Sequence, residues 1–371
     1  METLSTDLLI IGAGPAGCSV ARTIKDKEII LIDKNKFPRD KPCSGLLVEE
    51  SKEILYSLRL PKNVFSTPSN LDLEYVDIDN NIDIIQKKVL GNTDRIKLDH
   101  WLLKLIGKNT NLMENTIVTK LEKSSDGIKV FIIKDGKEKC ILTKKVVGAD
   151  GATSTVRRFL GILPPLRYYT AQNFIETNKK IETCKFIYWN ALTDWYAWLL
   201  PKENNVIEIG GAFQMKTNRD EVLKLLMEKM KINGKIIKKT NWLLTKPSIK
   251  DIHIGNNIDI FLIGEAAGFI SPSTVEGISF GLRSGAIFGE SFNTGKPDIE
   301  YKNRIKPLIE EVYQKISKAE ILADPKECVF VDDYESNVMA AKELGITAVQ
   351  FTTTEELKES FEKLGINVTD K

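Results

Sequence analysis

The sequence feature that most constrains this chain is the segment DLLIIGAGPAGCSVARTIKDKEIILID, which ends at Asp33. Its apolar runs and glycines are typical of a strand, a turn, a helix and a second strand, which together form a βαβ unit. Gly12, Gly14 and Gly17 give the spacing GxGxxG, which allows a tight turn, backbone approach to a pyrophosphate and close helix–strand packing. Asp33 follows about twenty residues later, where a carboxylate accepts hydrogen bonds from a ribose. The segment therefore predicts a dinucleotide site rather than a glycine-rich turn without a ligand.

Two more glycine turns follow apolar strands further along the chain. GADGATSTVRR begins at Gly148 and carries Asp150 between glycines, whereas GEAAGFISPSTVEGISFG begins at Gly264 and carries Glu265. Each turn alone is compatible with a purely structural role. Three such turns in this order are what an extended dinucleotide requires, with one turn at its pyrophosphate and the others at its ribityl chain and ring.

Charge and composition argue against several other classes of protein. The 371 residues carry a formal net charge of +2, so charge does not predict nucleic-acid binding. No apolar run approaches the roughly 20 residues of a bilayer-spanning helix, and no signal-peptide charge pattern precedes the first strand. Five scattered cysteines and two histidines, without a CxxC pair, predict neither a disulfide framework nor a metal site. A cytoplasmic protein is the simplest interpretation.

The three glycine turns resemble the signature segments of the p-hydroxybenzoate-hydroxylase-like FAD oxidoreductases. KPCSGLL, from Lys41 to Leu47, and YAWLLPK, from Tyr196 to Lys202, make the chain more similar to the geranylgeranyl reductase family within that superfamily. Within that family it resembles the CbrA-like bacterial oxidoreductases. The resemblance covers about residues 5–318 and implies FAD, bound without a covalent link, as the cofactor.

Strand-rich sequence interrupts the α/β pattern between residues 165 and 250, in segments such as CKFIYWNA and NVIEIGGAF. We therefore expect an α/β protein, α+β overall, with a Rossmann-like FAD-binding domain, an inserted antiparallel-sheet substrate domain and a small α/β C-terminal tail. The expected boundaries are 1–65, 91–164 and 251–318 for the FAD-binding domain, 66–90 and 165–250 for the substrate domain, and 319–371 for the tail.

The resemblance also implies cofactor contacts residue by residue. Arg95 opens RIKLDHWLL, which resembles a cofactor-contacting RxxFD segment, although an exposed arginine at a helix start gives the same pattern. Cys43 lies in a loop that the family places near the flavin, or it is a small buried residue. The residues expected to bind FAD are Gly12, Gly14, Pro15, Ala16, Gly17, Asp33, Lys34, Lys41, Pro42, Cys43, Arg95, Asp150, Gly151, Gly264, Glu265, Gly268, Gly277 and Ile278.

Aromatic residues of the strand-rich insert are catalytic candidates, together with Cys43. Tyr196 and Trp198 alternate along one strand, so they are expected either to line an apolar substrate pocket or to pack in the core.

Glu265 departs from the superfamily's usual GDAAG, whose aspartate binds the ribityl chain of FAD. A glutamate keeps the charge and reaches one methylene further, which predicts a loss of flavin binding or, in preference to it, a shifted backbone that suits the glutamate. A helix is expected to begin near Ser273 and to direct its positive N-terminal end toward the flavin pyrimidine. That placement stabilises a reduced flavin and favours a redox enzyme.

The C-terminal segment has a different character. Residues 322–371, with VFVDDYESNVMAAKELGITAVQF, read as strand, helix, strand and helix and resemble the last block of haloacid-dehalogenase-like hydrolases. In that family the paired acids, here Asp332 and Asp333, hold magnesium. The family's nucleophile motif is missing from this sequence, which argues against a phosphatase and indicates a fused fragment.

The resemblance implies an FAD-dependent oxidoreductase that reduces double bonds of an isoprenoid, geranylgeranyl-type substrate by hydride transfer from reduced flavin. A flavin-dependent monooxygenase of the hydroxylase or halogenase type is one alternative, and a non-catalytic flavin- or lipid-binding protein is another. The expected partners are an apolar small molecule and either NAD(P)H or ferredoxin as electron donor, without nucleic acid. A lipid substrate also implies peripheral contact with the inner face of the membrane.

Overall fold

The computed structural model describes residues 3–256, 258–323, 329–343 and 346–366. The chain divides into two compact units, Met1–Val312 and Tyr313–Lys371. The first unit contains two β-sheets with helices and the second is a small α/β unit, so the expected mixed α/β fold is confirmed. Among the described residues, no helix is both long and apolar enough to cross a bilayer.

The larger unit contains both strands and helices. Its strands are β1 (Thr3–Ile11), β2 (Ile29–Ile32), β3 (Leu46–Leu47), β4 (Phe65–Asp77), β5 (Ile82–Thr93), β6 (Thr110–Met113), β7 (Thr116–Ser124), β8 (Gly127–Lys134), β9 (Lys137–Gly148), β10 (Leu166–Glu176), β11 (Cys184–Tyr188), β12 (Ala197–Pro201), β13 (Val206–Phe213), β14 (Lys235–Lys246) and β15 (Ile260–Leu262). Its helices are α1 (Pro15–Thr23), α2 (Glu49–Ser57), α3 (Arg95–Leu103), α4 (Thr155–Phe159), α5 (Arg219–Lys229), α6 (Ile278–Asn293), α7 (Pro297–Arg304) and α8 (Lys306–Ala323), the last of which continues past Val312.

The first sheet places the three glycine turns side by side. Its strand order is β6-β2-β1-β9-β8-β7, with β15 paired to β9. β1 runs parallel to both β2 and β9, and β15 runs parallel to β9. The three glycine turns follow β1, β9 and β15, and parallel strands end at the same edge of a sheet. Turns that are far apart in sequence therefore meet at one edge.

Close backbone contacts explain the glycines that position two helices. A Cβ on Gly17 would lie 1.9 Å from the Gly12 carbonyl oxygen, so α1 begins directly beside the end of β1. α6 packs on α1 in the same way, because a Cβ on Gly285 would lie 2.4 Å from the Ala16 carbonyl oxygen. The βαβ unit expected from GxGxxG is thus present, with α6 packed against its helix.

The second sheet has eight strands in the order β14-β10-β13-β12-β11-β4-β5-β3. Its neighbours are antiparallel except for β11 and β4, which run parallel. β4 and β11 come from separate stretches of the chain, so no hairpin sets their relative direction. The expected domain boundaries stay a prediction, and Leu46–Leu47 joins this sheet although it was assigned to the FAD-binding domain.

Successive residues of β12 face opposite sides of the second sheet, as the pleat requires. Trp198 and Leu200 belong to an aromatic cluster on one face. Ala197 and Leu199 belong to a second cluster, which includes Leu223 of α5. The aromatic face is therefore left for the site, while α5 contributes to the core on the other face.

The helix expected to begin near Ser273 begins at Ile278 instead, so that prediction was wrong. Val275 has φ +55°, a left-handed conformation that cannot continue into a right-handed helix. For a β-branched residue this conformation costs on the order of 1–3 kcal/mol. The segment before α6 is consequently a loop that carries a strained residue.

The smaller unit has the expected strand–helix–strand–helix order. It comprises β16 (Val329–Asp332), α9 (Glu335–Glu343), β17 (Thr347–Gln350) and α10 (Thr354–Lys363), with β16 and β17 parallel. Asp332 Oδ1 accepts hydrogen bonds from the Tyr334 backbone N–H and from Asn337 Nδ2. The haloacid-dehalogenase resemblance stays a prediction, and its residues 324–328, 344–345 and 367–371 lie outside the described part of the chain.

Candidate functional site

A cavity of about 640 Å³ lies between the glycine turns and the aromatic face of the second sheet. All of the expected cofactor-binding residues line it except Gly17 and Gly268. Gly17 serves the contact between α1 and β1 described above. Gly268 has φ +90°, and a Cβ there would lie 2.9 Å from the Asp251 carbonyl oxygen, so it serves the local turn.

At the first turn, Asp33 both faces the cavity and orders the chain around it. Its Oδ2 accepts a hydrogen bond from the Ala13 backbone N–H at 2.9 Å. Its Oδ1 accepts from the Asn35 backbone N–H at 2.9 Å. The carboxylate is therefore held at the end of β2, beside the residue between Gly12 and Gly14.

At the second turn, Asp150 is used mainly to cap α4. Its Oδ1 accepts from Ser154 Oγ at 2.6 Å and its Oδ2 accepts from the Thr155 backbone N–H at 2.6 Å. Burial raises the pKa of Asp150, and these hydrogen bonds act in the opposite direction. The residue lines the cavity, yet its side-chain oxygens already have partners within the turn.

Arg95 is buried, so the alternative of an exposed arginine at a helix start is wrong. Its Nε and Nη2 donate to the two oxygens of Asp99, at 2.9 and 3.0 Å. Arg39 Nη2 lies 3.2 Å from the same carboxylate. Two cations thus share one buried anion at the cavity wall, and Arg39 is a site residue that the sequence analysis missed.

Glu265 connects the third turn to the second sheet. Its Oε1 accepts from both the backbone N–H and the Oγ1 of Thr245 on β14, at 3.0 and 3.1 Å. Burial raises the pKa of Glu265, while Lys41 and these hydrogen bonds counteract that effect. The extra methylene relative to aspartate is therefore used to reach a neighbouring strand.

Lys41 presents an ammonium group to the cavity beside Glu265. Its Nζ lies 3.8 Å from the centre of the Trp242 ring, a cation–π contact with another residue of β14. Burial lowers the pKa of Lys41 to about 7, although the nearby charge of Glu265 acts in the opposite direction. Lys41 is accordingly able to exchange a proton near neutral pH.

Tyr196 and Trp198 satisfy both interpretations, because they are buried and they line the cavity. Tyr196 Oη donates to the Thr274 carbonyl oxygen at 2.7 Å, and Trp198 Nε1 donates to Glu208 Oε1 at 2.9 Å. Each ring is fixed through its polar atom. Cys43 also lines the cavity and is half-buried.

A buried polar network under the aromatic face was missed by the sequence analysis. Glu208 is fully buried, and its Oε1 also accepts from Gln172 Nε2 at 2.7 Å. Lys202 Nζ lies 3.7 Å from Glu208 Oε2 and donates to the Ser44 carbonyl oxygen at 2.6 Å. Lys202 thereby ties the second sheet to the loop that carries Cys43. The sequence did carry a signal of this network. A charged residue stands beside apolar strand residues in both YAWLLPK, which ends at Lys202, and NVIEIGG, which contains Glu208.

Sequence comparison places the chain among FAD-binding proteins. Residues 5–286 match the family model described as FAD binding domain. Protein CbrA of Escherichia coli O157:H7 is 32% identical over 332 residues, which cover 86% of this chain and 94% of that protein.

Comparison with solved structures shows the same fold. A geranylgeranyl bacteriochlorophyll reductase-like protein from Thermoplasma acidophilum has a TM-score of 0.76 at 17% identity, covering 98% of this chain and all of that one. PqsL, a probable FAD-dependent monooxygenase from Pseudomonas aeruginosa, has a TM-score of 0.65 at 15% identity, covering 86% of this chain and 96% of that one. FAD as the cofactor and a Rossmann-like flavoprotein fold are thereby confirmed.

The residues at the first turn fit the pyrophosphate of FAD. A Cβ on Gly14 would contact only Arg39 Nη2, at 3.6 Å, so the backbone is open toward the cavity. No described group accepts a hydrogen bond from the buried Arg39 Nε. An open backbone at the N-terminus of α1, with a guanidinium beside it, suits a phosphate group.

We expect Gly14→Ala to weaken FAD binding at least tenfold, because the new methyl group would occupy cavity space. The protein should remain folded, because the Gly14 φ of −77° is one that alanine adopts without strain. Flavin-fluorescence titration of the FAD-free protein measures the change. Gly17→Ala should lower thermal stability as well as FAD affinity, since its methyl group would meet the Gly12 carbonyl oxygen and displace α1. Equal FAD affinity in Gly14→Ala and the wild type would contradict the assignment.

Glu265→Asp is expected to lower the free energy of unfolding by about 1–3 kcal/mol, because the shorter side chain leaves the Thr245 N–H without its acceptor. Urea denaturation of the FAD-loaded protein gives this value. Thr245→Val, which removes only the hydroxyl, should cost less. If Glu265→Asp proves as stable as the wild type and binds FAD more tightly, the glutamate does not connect the third turn to β14.

The pH dependence of stability should report the burial of Lys41. Between its folded pKa of about 7 and the ordinary value of 10.5, the unfolded chain binds more protons than the folded one. This group therefore makes the free energy of unfolding of the FAD-free protein rise with pH, by at most about 1.4 kcal/mol per pH unit.

Lys41→Met should flatten this rise across that range in urea denaturation. Lys34→Met is the matched control, since Lys34 Nζ lies 5.2 Å from the centre of the same Trp242 ring. The control should retain the wild-type slope. An unchanged slope in Lys41→Met would show that the Lys41 ammonium is not desolvated by folding.

Proposed function

Since this chain belongs to the FAD binding domain family, we propose that it is an FAD-dependent oxidoreductase that reduces carbon–carbon double bonds of an isoprenoid substrate. The observation that carries the proposal is the apolar wall opposite the glycine turns. Alongside Tyr196 and Trp198, the wall contains Leu73, Tyr75, Leu90, Phe186 and Leu244, and Ile270 adds an apolar side chain from the third turn.

The wall suits an apolar chain better than a polar ring. Burying apolar surface contributes about 25 cal/mol per Å², so a long hydrocarbon chain gains affinity from such a wall without a charged partner. The rings are rigidly placed, with Phe186 and Tyr196 centred 4.9 Å apart and Tyr196 and Trp198 6.1 Å apart. A chain bound along them would be held in one orientation.

A bound flavin supplies the electron pair that the reduction needs. Arg39 and the open backbone at Gly14 would hold its pyrophosphate. The Tyr196 hydroxyl donates its proton to the Thr274 carbonyl oxygen. This hydrogen bond fixes the Tyr196 ring, which forms part of the apolar wall. Lys41 Nζ holds or releases a proton at the cavity surface near neutral pH.

The electron donor and the location follow from the same proposal. NAD(P)H or ferredoxin would supply electrons from outside, since the sequence has one GxGxxG and the flavin uses it. A lipid substrate would bring the protein into peripheral contact with the cytoplasmic face of the membrane.

The proposal is tested anaerobically. FAD-loaded protein is reduced with dithionite, geranylgeraniol is added, and the flavin absorbance and the mass of the lipid are followed. We expect the oxidised flavin absorbance to return without oxygen while the lipid gains two hydrogens for each bond reduced. Leu90→Trp, which fills the cavity, should block the reaction in protein that retains FAD. Leu163→Trp, at a residue 80% exposed, is the matched control.

Two other outcomes would contradict the proposal, and each would indicate an alternative function. Return of the absorbance only when air is admitted, with oxygen incorporated into an added aromatic compound, would indicate a monooxygenase. Tight binding of the lipid without any flavin oxidation, whichever donor is used, would indicate a binding protein.

A further inference from the structure

Val275 is held in a conformation that its side chain disfavours. Nine non-glycine residues among those the structure describes have positive φ, and Val275 is the β-branched one, with φ +55°. Glycine or asparagine adopts this conformation at much lower cost. A valine persists there only when its surroundings enforce the conformation.

Hydrogen bonds on both sides of Val275 enforce it. The preceding carbonyl, of Thr274, accepts from Tyr196 Oη at 2.7 Å. The following carbonyl, of Glu276, accepts from the Ser271 backbone N–H at 2.9 Å. The Val275 N–H itself donates to the Ser271 carbonyl oxygen at 2.9 Å. The backbone is therefore anchored immediately before, at and after the strained residue.

The strained backbone directs an apolar group to the cavity. Val275 lines the cavity and packs against the aromatic cluster that contains Tyr196 and Trp198. Gly277 and Ile278, at the start of α6, line the same cavity on the flavin-binding side. Val275 thus stands where the apolar wall meets the third glycine turn. A residue without strain here would be a glycine, which has no side chain to narrow that junction.

We propose that Val275 determines substrate specificity by narrowing the cavity at this junction, so that slender acyclic chains enter and ring-bearing chains do not. This inference rests on the proposed function for the class of substrate, an apolar chain. Its physical content is the shape of the cavity, which can be measured with ligands that have no double bond to reduce.

The probes are dodecan-1-ol and 6-cyclohexylhexan-1-ol, which have equal carbon number and differ in whether a ring ends the chain. Each displaces Nile red from the FAD-loaded protein in a fluorescence titration. We expect the wild type to bind the straight alcohol at least tenfold more tightly than the ring-bearing one. Val275→Gly should reduce that preference to less than threefold by improving the affinity for the ring-bearing alcohol.

Val275→Ala separates shape from strain. Alanine also opens the junction but keeps the left-handed strain. Val275→Ala should therefore reduce the preference for the straight alcohol as Val275→Gly does, and its melting temperature should lie a few degrees below that of Val275→Gly. Asn81→Gly is the matched control at an exposed residue with φ +56°, and it should leave both affinities unchanged.

Three results would overturn the proposal. Equal preference in the wild type and Val275→Gly would show that Val275 does not limit the cavity. A loss of both alcohols together with FAD would give Val275 a purely structural role. Failure of both alcohols to displace Nile red from any variant would show that no apolar chain binds at this junction. A failed reduction of geranylgeraniol with the expected alcohol selectivity would instead refute only the proposed reaction.

Discussion

Backbone contact between α1 and the end of β1 positions the rest of the site. Where Gly17 passes the Gly12 carbonyl oxygen, a Cβ would lie 1.9 Å away, so the helix begins closer to the strand than any side chain permits. α6 depends on a similar contact between Gly285 and the Ala16 carbonyl oxygen. Since α6 follows the third glycine turn, its placement carries Ile278 and the loop before it to the cavity. Two backbone contacts therefore place two helix N-termini at one edge of the first sheet.

Polar side chains then connect this edge to the second sheet. Glu265 reaches from the third turn to Thr245 on β14, and Lys202 reaches from the end of the aromatic face to the Ser44 carbonyl oxygen. Both side chains are partly buried, and a polar group removed from water is costly unless it is hydrogen-bonded. Their partners are specific atoms rather than an apolar surface, so the second sheet has little freedom to slide. These hydrogen bonds are directional, so they fix the second sheet in one position at the cavity.

Local features of the fold could be predicted from sequence, and long-range ones could not. The βαβ unit followed from glycine spacing and apolar runs within one segment. The start of α6 was misplaced because the left-handed Val275 is enforced by Tyr196, which is distant in sequence. Arg39 was missed for the same reason, since its role appears only when α3 brings Asp99 beside it. Gly268 was assigned to the cofactor by its motif, yet its contact is to the Asp251 backbone.

Most cationic and most aromatic residues line different parts of the cavity, one beside each sheet. Three of the cavity's cations, Arg39, Arg95 and Lys41, lie on loops and a helix around the first sheet, whereas its aromatic wall and Lys88 belong to the second. The cationic end therefore suits the pyrophosphate of FAD, and the aromatic end suits the apolar substrate that we propose. We expect substitutions on the aromatic wall to change the proposed substrate end without altering the groups proposed to hold the pyrophosphate. A fold built this way supports different reactions, as its similarity to a reductase-like protein and a probable monooxygenase illustrates. We therefore expect substrate choice in this protein to depend on the few residues where the two ends meet.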